Sequence, residues 1–358
     1  MHLSQLQITD FRNLKAVEMA PVSGVNLITG KNASGKTSLL ETIYYLSHVR
    51  SFRSMQVADL INREASYLQL VARIHTDQGE TPIGIRRSKT RMQIRCNQQA
   101  VKRVADLAAC FPVLAIHPDS YRLITGSPDE RRQYLDWGVF HVEQSFFDTW
   151  QRYRKALSQR NAALRQKQAE KFCVLWDKEI EASANQIDHL RQSYFNKLVP
   201  YFKRLVSRFF PEQRLDIEYR RGWGKDQSLN ELLIRHLEKD RKQGFTYYGP
   251  HRAELAIRVQ GQSAQTGISR GQQKLLVALL RLAQAQQFTE MRKLSCVLLY
   301  DDLAAELDEK NRGLILGELA SMQVQLFVTA IEKEQIDLSA WQQKKMFHVE
   351  QGQLKDLI

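Results

Sequence analysis

The stretch Gly30-Lys-Asn-Ala-Ser-Gly-Lys-Thr37 constrains this chain more than any other. It follows a short apolar run, Val25-Asn-Leu-Ile-Thr29, and precedes Ser38-Leu-Leu-Glu-Thr-Ile-Tyr-Tyr-Leu46, whose apolar residues recur at helical spacing. Strand, glycine-rich turn and helix is the context in which GxxxxGK[ST] marks a phosphate-binding loop. Gly30 and Gly35 let the backbone curl so that successive N–H groups face inward, an anion nest at a helix N-terminus. Lys36 supplies a mobile charge for β- and γ-phosphates, and the Thr37 hydroxyl is placed to ligate Mg²⁺. The residues predicted to cradle a nucleoside triphosphate are Gly30, Lys31, Asn32, Ala33, Ser34, Gly35, Lys36, Thr37 and Ser38.

At 358 residues the chain has length for about two domains and ample core. It has no run of about 18 apolar residues, so no membrane span is expected, and the N-terminus lacks the pattern of a secretion signal. Cys96, Cys110, Cys173 and Cys296 are scattered without metal-ligand spacing and read as buried free thiols of a reducing, cytoplasmic compartment. The formal net charge of +13 is the informative bulk property. A soluble chain this basic usually meets a polyanion, nucleic acid being the commonest, although a charge excess can also serve solubility alone.

In chain order, 3–14 reads as an edge strand, and 67–74 with 81–86 as a hairpin turning at Asp77-Gln-Gly-Glu80. Between 83 and 105 seven basic residues and no acid suit either a solvated strand face or a phosphate-contacting surface. Leu114-Ala-Ile-His-Pro-Asp119 looks like a strand stopped by its proline. From 131 to 208 the helical period predicts two or three long helices. One of them carries Arg152, Arg154, Lys155, Arg160, Arg165, Lys167 and Lys171, a run that suits a DNA-facing surface or a solvated helix face. Phe146, Phe147, Trp150 and Tyr153 on it read as core. A strand at 216–219, a helix at 229–243 and a return to sheet through Gly249-Pro-His-Arg252 follow.

Two further segments carry chemistry. Cys296-Val-Leu-Leu-Tyr-Asp-Asp302 is an apolar run ending in two acids, the mark of a central parallel strand delivering carboxylates at its C-terminal edge. Asp301 is the expected partner of Thr37 on Mg²⁺, and Asp302 the candidate to orient or deprotonate an attacking water. An aspartate sets its carboxylate back by ~1.5 Å relative to glutamate, about one bond length. Misplacement of about 1 Å can cost on the order of a hundredfold in rate, so slow hydrolysis is expected. Ser269-Arg-Gly-Gln-Gln-Lys274 opens a helix, and Ser269, Arg270, Gly271 and Gln272 make a second phosphate site of hydroxyl, amides and dipole end. One chain needs one γ-phosphate cradle. The economical reading is that this segment of one protomer closes over the nucleotide held by another, with the γ-phosphate joining the two halves.

The order of these motifs resembles the ABC-type ATPases of chromosome maintenance, and within them the bacterial RecF family of recombination mediators. Further segments that carry the likeness are Asp10-Phe-Arg-Asn13, Ser51-Phe-Arg53, Pro128-Asp-Glu-Arg-Arg132, Leu135-Asp136, Arg160-Asn161, Gly249-Pro-His-Arg252 and Glu306-Leu-Asp308. The resemblance implies an α/β fold: an ABC-type P-loop ATPase head with a mixed sheet, split at 1–120 and 246–358, and a mainly helical second lobe inserted at 121–245. It implies an ATP-dependent homodimer on single-stranded, duplex or gapped DNA, weak DNA-stimulated ATPase activity, work with RecO and RecR in loading RecA, and support of the SOS response. Lys36, Asp301 and Asp302 become the catalytic residues, Thr37 and Asp301 the Mg²⁺ ligands, and Ser269 to Gln272 the signature acting in trans. Two departures stand out: Ala253-Glu254 where relatives of this type carry two acids, and Thr329 or Ala330 where transporter ATPases carry a histidine. Asp119 falls near the glutamine-loop position.

Three other readings compete. A cohesin-like clamp of the SMC type would need a long heptad-regular arm, which the insertion lacks. A P-loop kinase has no use for Ser-Arg-Gly-Gln-Gln, and a transporter's nucleotide-binding subunit has no use for the basic surface.

Overall fold

The computed structural model describes residues 1–76 and 79–357, so Asp77 and Gln78 of the expected hairpin turn lie outside the described residues. The chain divides into two compact units, Met1–Ser120 with Lys274–Ile358, and Tyr121–Gln273.

The first unit is built on two sheets. One has six strands in the order Gln353–Asp356, Lys344–Glu350, Val25–Thr29, Gln325–Ala330, Val297–Tyr300, Val113–Ile116. All its neighbours are parallel except the final hairpin. The strands 25–29, 325–330, 297–300 and 113–116 are buried at every residue. Parallel strands covered on both faces need continuous apolar runs, which is why Val297-Leu-Leu-Tyr300 and Leu326-Phe-Val328 read so plainly. Both strands of the final hairpin went unseen in the sequence, because Lys344-Lys-Met-Phe-His-Val-Glu350 alternates weakly.

The other sheet is antiparallel, in the order Leu14–Met19, His2–Phe11, Tyr67–Thr76, Gly79–Ser88, Met92–Cys96, Gln99–Ala100. The segment 3–14 is therefore no edge strand. His2–Phe11 pairs on both sides, and the outer place belongs to Leu14–Met19 after a turn. The P-loop helix, Lys36–His48, buries Leu39, Leu40, Ile43 and Leu46 in one apolar cluster with Leu6, Ile8, Leu70 and Ile85 of this sheet and Ile28, Leu299 and Phe327 of the other. Each such side chain contributes about 1.5–3 kcal/mol by leaving water. The helix start is thus fixed by packing along its whole length.

The second unit holds three long helices, Pro128–Val142, Phe146–Arg165 and Asp177–Phe209, with shorter ones at Glu170–Val174, Leu229–Arg235 and Leu237–Gln243. The helix expected over 229–243 is two, divided at His236, whose φ of −100° and ψ of 9° leave the helical region. A three-stranded antiparallel sheet runs Gln262–Ser263, Glu254–Val259, Leu215–Arg220. The expected return to the head at 246 does not occur: Glu254–Val259 pairs with Leu215–Arg220 in register Leu255↔Tyr219, Ile257↔Ile217, and the second unit continues to Gln273. Period-two burial of Leu255, Ile257 and Val259 is what that pairing needs.

Two arginines lie wholly inside this unit. Arg160 bonds Asp177 Oδ1 at 2.7 Å, Asp240 Oδ2 at 2.7 Å and Thr246 Oγ1 at 2.8 Å. It therefore leaves the basic run, whose other members, Arg152, Arg154, Lys155, Arg165, Lys167 and Lys171, are exposed. Arg191 makes a two-pronged pair with Asp136 at 2.8 and 2.9 Å and donates to Pro250 O at 2.8 Å. Phe146 and Tyr153 are core as expected, while Phe147 and Trp150 are half-buried. Cys173 and Cys296 are buried free thiols, whereas Cys110 is exposed and Cys96 half-buried.

Candidate nucleotide-binding site

The first unit's principal chemistry sits where Val25–Thr29 ends. Gly30 takes φ +150°, and a Cβ there would lie 2.3 Å from Val349 O. Gly35 takes φ +125° and Ala33 φ +63°, which completes the curl of the loop. The loop is also clamped from outside. Asn13 Nδ2 donates to Ser34 O at 3.1 Å, and the Gly352 N–H donates to the same oxygen at 2.9 Å. Residues 21 and 318 positions from Ser34 thus hold the loop shape.

Lys36 Nζ donates to Gly30 O at 2.7 Å and Lys31 O at 3.0 Å, folding the side chain back over the loop. Burial pushes its ammonium below the usual lysine range, against the pull of Asp302 and Asp301. Thr37 Oγ1 lies 2.9 and 3.1 Å from the two carboxylate oxygens of Asp301, to which it donates. Thr329 Oγ1 donates to Asp301 Oδ1 at 2.8 Å and accepts from the Asp302 N–H at 2.7 Å. Burial holds the Asp301 carboxyl above the ordinary aspartate range, partly offset by the Thr329 and Thr37 hydroxyls. Asp302 adopts a left-handed backbone, φ 57° and ψ 42°, as the strand gives way to the turn Leu303–Glu306. Lys36, Thr37, Asp301 and Asp302 come together around a cleft of about 500 Å³.

Three other residues on this cleft, Arg12, Asn13 and Arg53, stand in the sequence only as marks of resemblance, with no role assigned. Arg12, Asn13, Arg53 and Pro118 also line it. Arg12 makes a two-pronged pair with Glu41 of the P-loop helix, at 2.5 and 2.8 Å, and Arg53 lies 3.9 Å from the same carboxylate. Ser51 Oγ donates to Glu41 as well. Nothing local in the sequence announces Glu41, a helix residue in an apolar run. Asp119 is exposed in the turn Pro118–Tyr121.

A nucleoside triphosphate with Mg²⁺ suits these residues. Ser34 Oγ is buried in the loop without a hydrogen-bond partner, an orphan that a phosphate oxygen would satisfy. No three His, Cys, Asp or Glu side chains cluster as ligands among the described residues. Mg²⁺ needs no such cage, since it keeps water and takes one carboxylate, one hydroxyl and substrate phosphates.

The second unit carries the other predicted segment. Ser269, Arg270 and Gly271 are exposed at the start of the helix Arg270–Arg292. The Ser269 N–H donates to Gln272 Oε1 at 3.0 Å and the Gln272 N–H donates to Ser269 Oγ at 3.3 Å, a reciprocal capping box. A Cβ at Gly271 would meet nothing within 4 Å, so no neighbour in this chain requires glycine there. Glu254, whose role the sequence left open, pairs with Arg131 at 2.6 and 3.0 Å. In the first unit, Asp308 caps the helix Glu309–Ser321 by accepting from the Asn311 N–H at 2.9 Å.

Residues 2–355 match the family described as RecF/RecN/SMC N terminal domain. The chain is 41% identical over 357 residues to the DNA replication and repair protein RecF of Thioalkalivibrio sulfidiphilus, covering 99% of both chains. The chain belongs to the RecF family. To the RecF of Vibrio cholerae it is 39% identical, covering 98% of this chain and 99% of the relative. A solved structure of the recombination mediator protein RecF with ATP, in the RecFOR pathway, superposes with a TM-score of 0.90 at 26% identity, covering 100% of this chain and 98% of the other. The SMC head domain of Pyrococcus furiosus bound to the C-terminal domain of ScpA shares the fold, with a TM-score of 0.61 at 16% identity. The RecF and SMC likenesses agree with the ABC-type head expected from the motif order.

Proposed function

We propose that this member of the RecF family is an ATP-gated DNA-binding protein of DNA replication and recombinational repair. The observation that carries the reading is the seat of Asp301, within 2.9 Å of the Thr37 hydroxyl and tied to Thr329. It sets a P-loop hydroxyl and a strand-end acid side by side, the pair on which a nucleotide-bound Mg²⁺ rests. The amides of 30–38 and Lys36 hold the phosphates, with Lys36 exchanging its two carbonyl partners for phosphate oxygens. Thr37 and Asp301 hold Mg²⁺, which when bound neutralises phosphate charge. Asp302, half-buried on the cleft, positions the attacking water and accepts its proton. Burial disfavours the Asp301 carboxylate, and a bound cation would offset that penalty.

Ser269, Arg270, Gly271 and Gln272 serve a second copy of the chain. Their exposed helix start and the open space beside Gly271 support a role in trans, where ATP joins two protomers and slow hydrolysis releases them. DNA is the polyanion that the net charge of +13 serves. RecR and RecO are the protein partners, RecA the indirect one, and the cytoplasm the compartment; no described helix is long and apolar enough to cross a membrane.

Sedimentation velocity of the Asp302→Asn protein tests the switch. ATP should convert monomer to dimer, and adding Lys36→Arg or Ser269→Arg should abolish the conversion. A shift that survives both substitutions refutes the shared site.

A further inference from the structure

Two segments singled out in the sequence, Arg160-Asn161 and Gly249-Pro-His-Arg252, belong to the second unit and take no part in the cleft above. They converge instead on one short stretch, 244–248. Thr246 is buried, and its N–H and hydroxyl both donate to Asn161 Oδ1 at 2.8 Å. Arg160 Nη1 donates to Thr246 Oγ1 at 2.8 Å, and His251 Nε2 donates to Thr246 O at 3.0 Å. The Tyr247 N–H donates to Asp240 Oδ1 at 3.2 Å.

The pinning leaves the residues on either side of Thr246 outward. Phe245 keeps 37% and Tyr247 42% of its surface in solvent. Cations surround both. Arg252 Cζ lies 5.3 Å from the Phe245 ring centre and 5.6 Å from that of Tyr247, and Lys239 Nζ lies 4.9 Å over Tyr247. Arg165, from the basic run, packs beside Gly244, its Cγ 3.1 Å from where a Cβ would sit. The solvated acid of the adjoining helix, Glu238, lies 3.9 Å from Arg241.

We propose that Phe245 and Tyr247, flanked by Lys239 and Arg252, form a stacking platform for single-stranded DNA. Partly exposed rings set among cations suit a chain with unstacked bases and a phosphate backbone, whereas duplex DNA hides its base faces and would use the cations alone. The rigid backbone under the rings removes the ordering cost of docking. This inference rests on the DNA-binding reading and adds the surface and the strand form.

The test is fluorescence anisotropy of the full chain with ATP, on labelled oligothymidine and on duplex of equal length. Stacking contributes about 1–3 kcal/mol per base, so each ring-to-alanine change should weaken oligothymidine binding about tenfold, and Phe245→Ala with Tyr247→Ala on the order of a hundredfold. Duplex affinity should stay within about threefold, and Tyr247→Phe should bind as the parent does. Arg252→Gln should reduce the slope of log affinity against log salt by about 0.7 on the single strand. Should the alanine pair fail to fold by circular dichroism, Phe245→Leu with Tyr247→Leu replaces it, keeping apolar bulk without a ring. Equal loss on both DNAs, under twofold loss on the single strand, or loss confined to a protein partner overturns the platform. Absence of all DNA binding by the parent chain would remove the wider reading too; normal binding by the ring variants removes this inference alone.

Discussion

Thr329 is the residue whose removal should say most about the site. It is fully buried in the strand Gln325–Ala330, and its hydroxyl both donates to Asp301 and accepts from the Asp302 N–H. Thr329→Val keeps the shape and deletes both bonds. A hydrogen bond to a charged group contributes about 1.5–3 kcal/mol, and a buried N–H left unpaired costs about 1–3 kcal/mol. The sum is roughly 2.5–6 kcal/mol, with the lower half favoured because Asp301 keeps Thr37 as a partner. Urea unfolding should show that loss, and ATP turnover should fall at least tenfold because both acids lose their common anchor. Thr329→Ser restores the hydroxyl and gives up one methyl, at a cost of about 0.8 kcal/mol. It should recover most of the turnover. A valine variant within about 0.5 kcal/mol of the parent and with normal turnover would refute the assignment of Thr329 as the anchor.

Two other outcomes follow from the same geometry. Gly30→Ala forces a side chain into a left-handed φ with a Cβ 2.3 Å from Val349 O, so it should destabilise the first unit by roughly 2–4 kcal/mol and abolish nucleotide binding, checked by thermal unfolding with and without ATP. His251 is pushed down to about 4 by desolvation, with Arg252, Arg132 and Arg191 adding to the effect and the Thr246 carbonyl opposing it, while Nδ1 pairs with the Tyr153 hydroxyl at 2.6 Å. Because the folded pKa lies below the unfolded value of about 6.5, stability is complete above that pH and falls as pH drops toward 4, by on the order of 3 kcal/mol. Unfolding followed from pH 7 to 4.5 should show this decline, and His251→Asn should flatten it.

The P-loop and the strand-end acids were legible because their signals are local. Gly30 and Gly35 are needed wherever a backbone must turn left-handed, and the apolar run before Asp301 is needed wherever a parallel strand is covered on both faces. The capping box of Ser269 and Gln272 lies within four residues. Arg160 was misread for the opposite reason: a cation in a basic helix run looks solvated until Asp177, Asp240 and Thr246, up to 86 residues away, are seen around it. The strand Glu254–Val259 was placed in the wrong unit because alternation states that a strand is half-covered and not which strand it joins.

Read alone, the residues give away the loop, its helix and the strand-end acids that the proposed nucleotide site uses, since each is written in a few consecutive positions. How those pieces are held emerges from the folded chain alone: Asn13 and Gly352 clamping the loop at Ser34, Thr329 joining the two acids, Glu41 gathering Arg12, Ser51 and Arg53, and Thr246 pinned between two exposed rings. Such contacts close over long spans of chain, where the identity of a partner depends on packing of the whole core and leaves no periodic trace in the residues themselves.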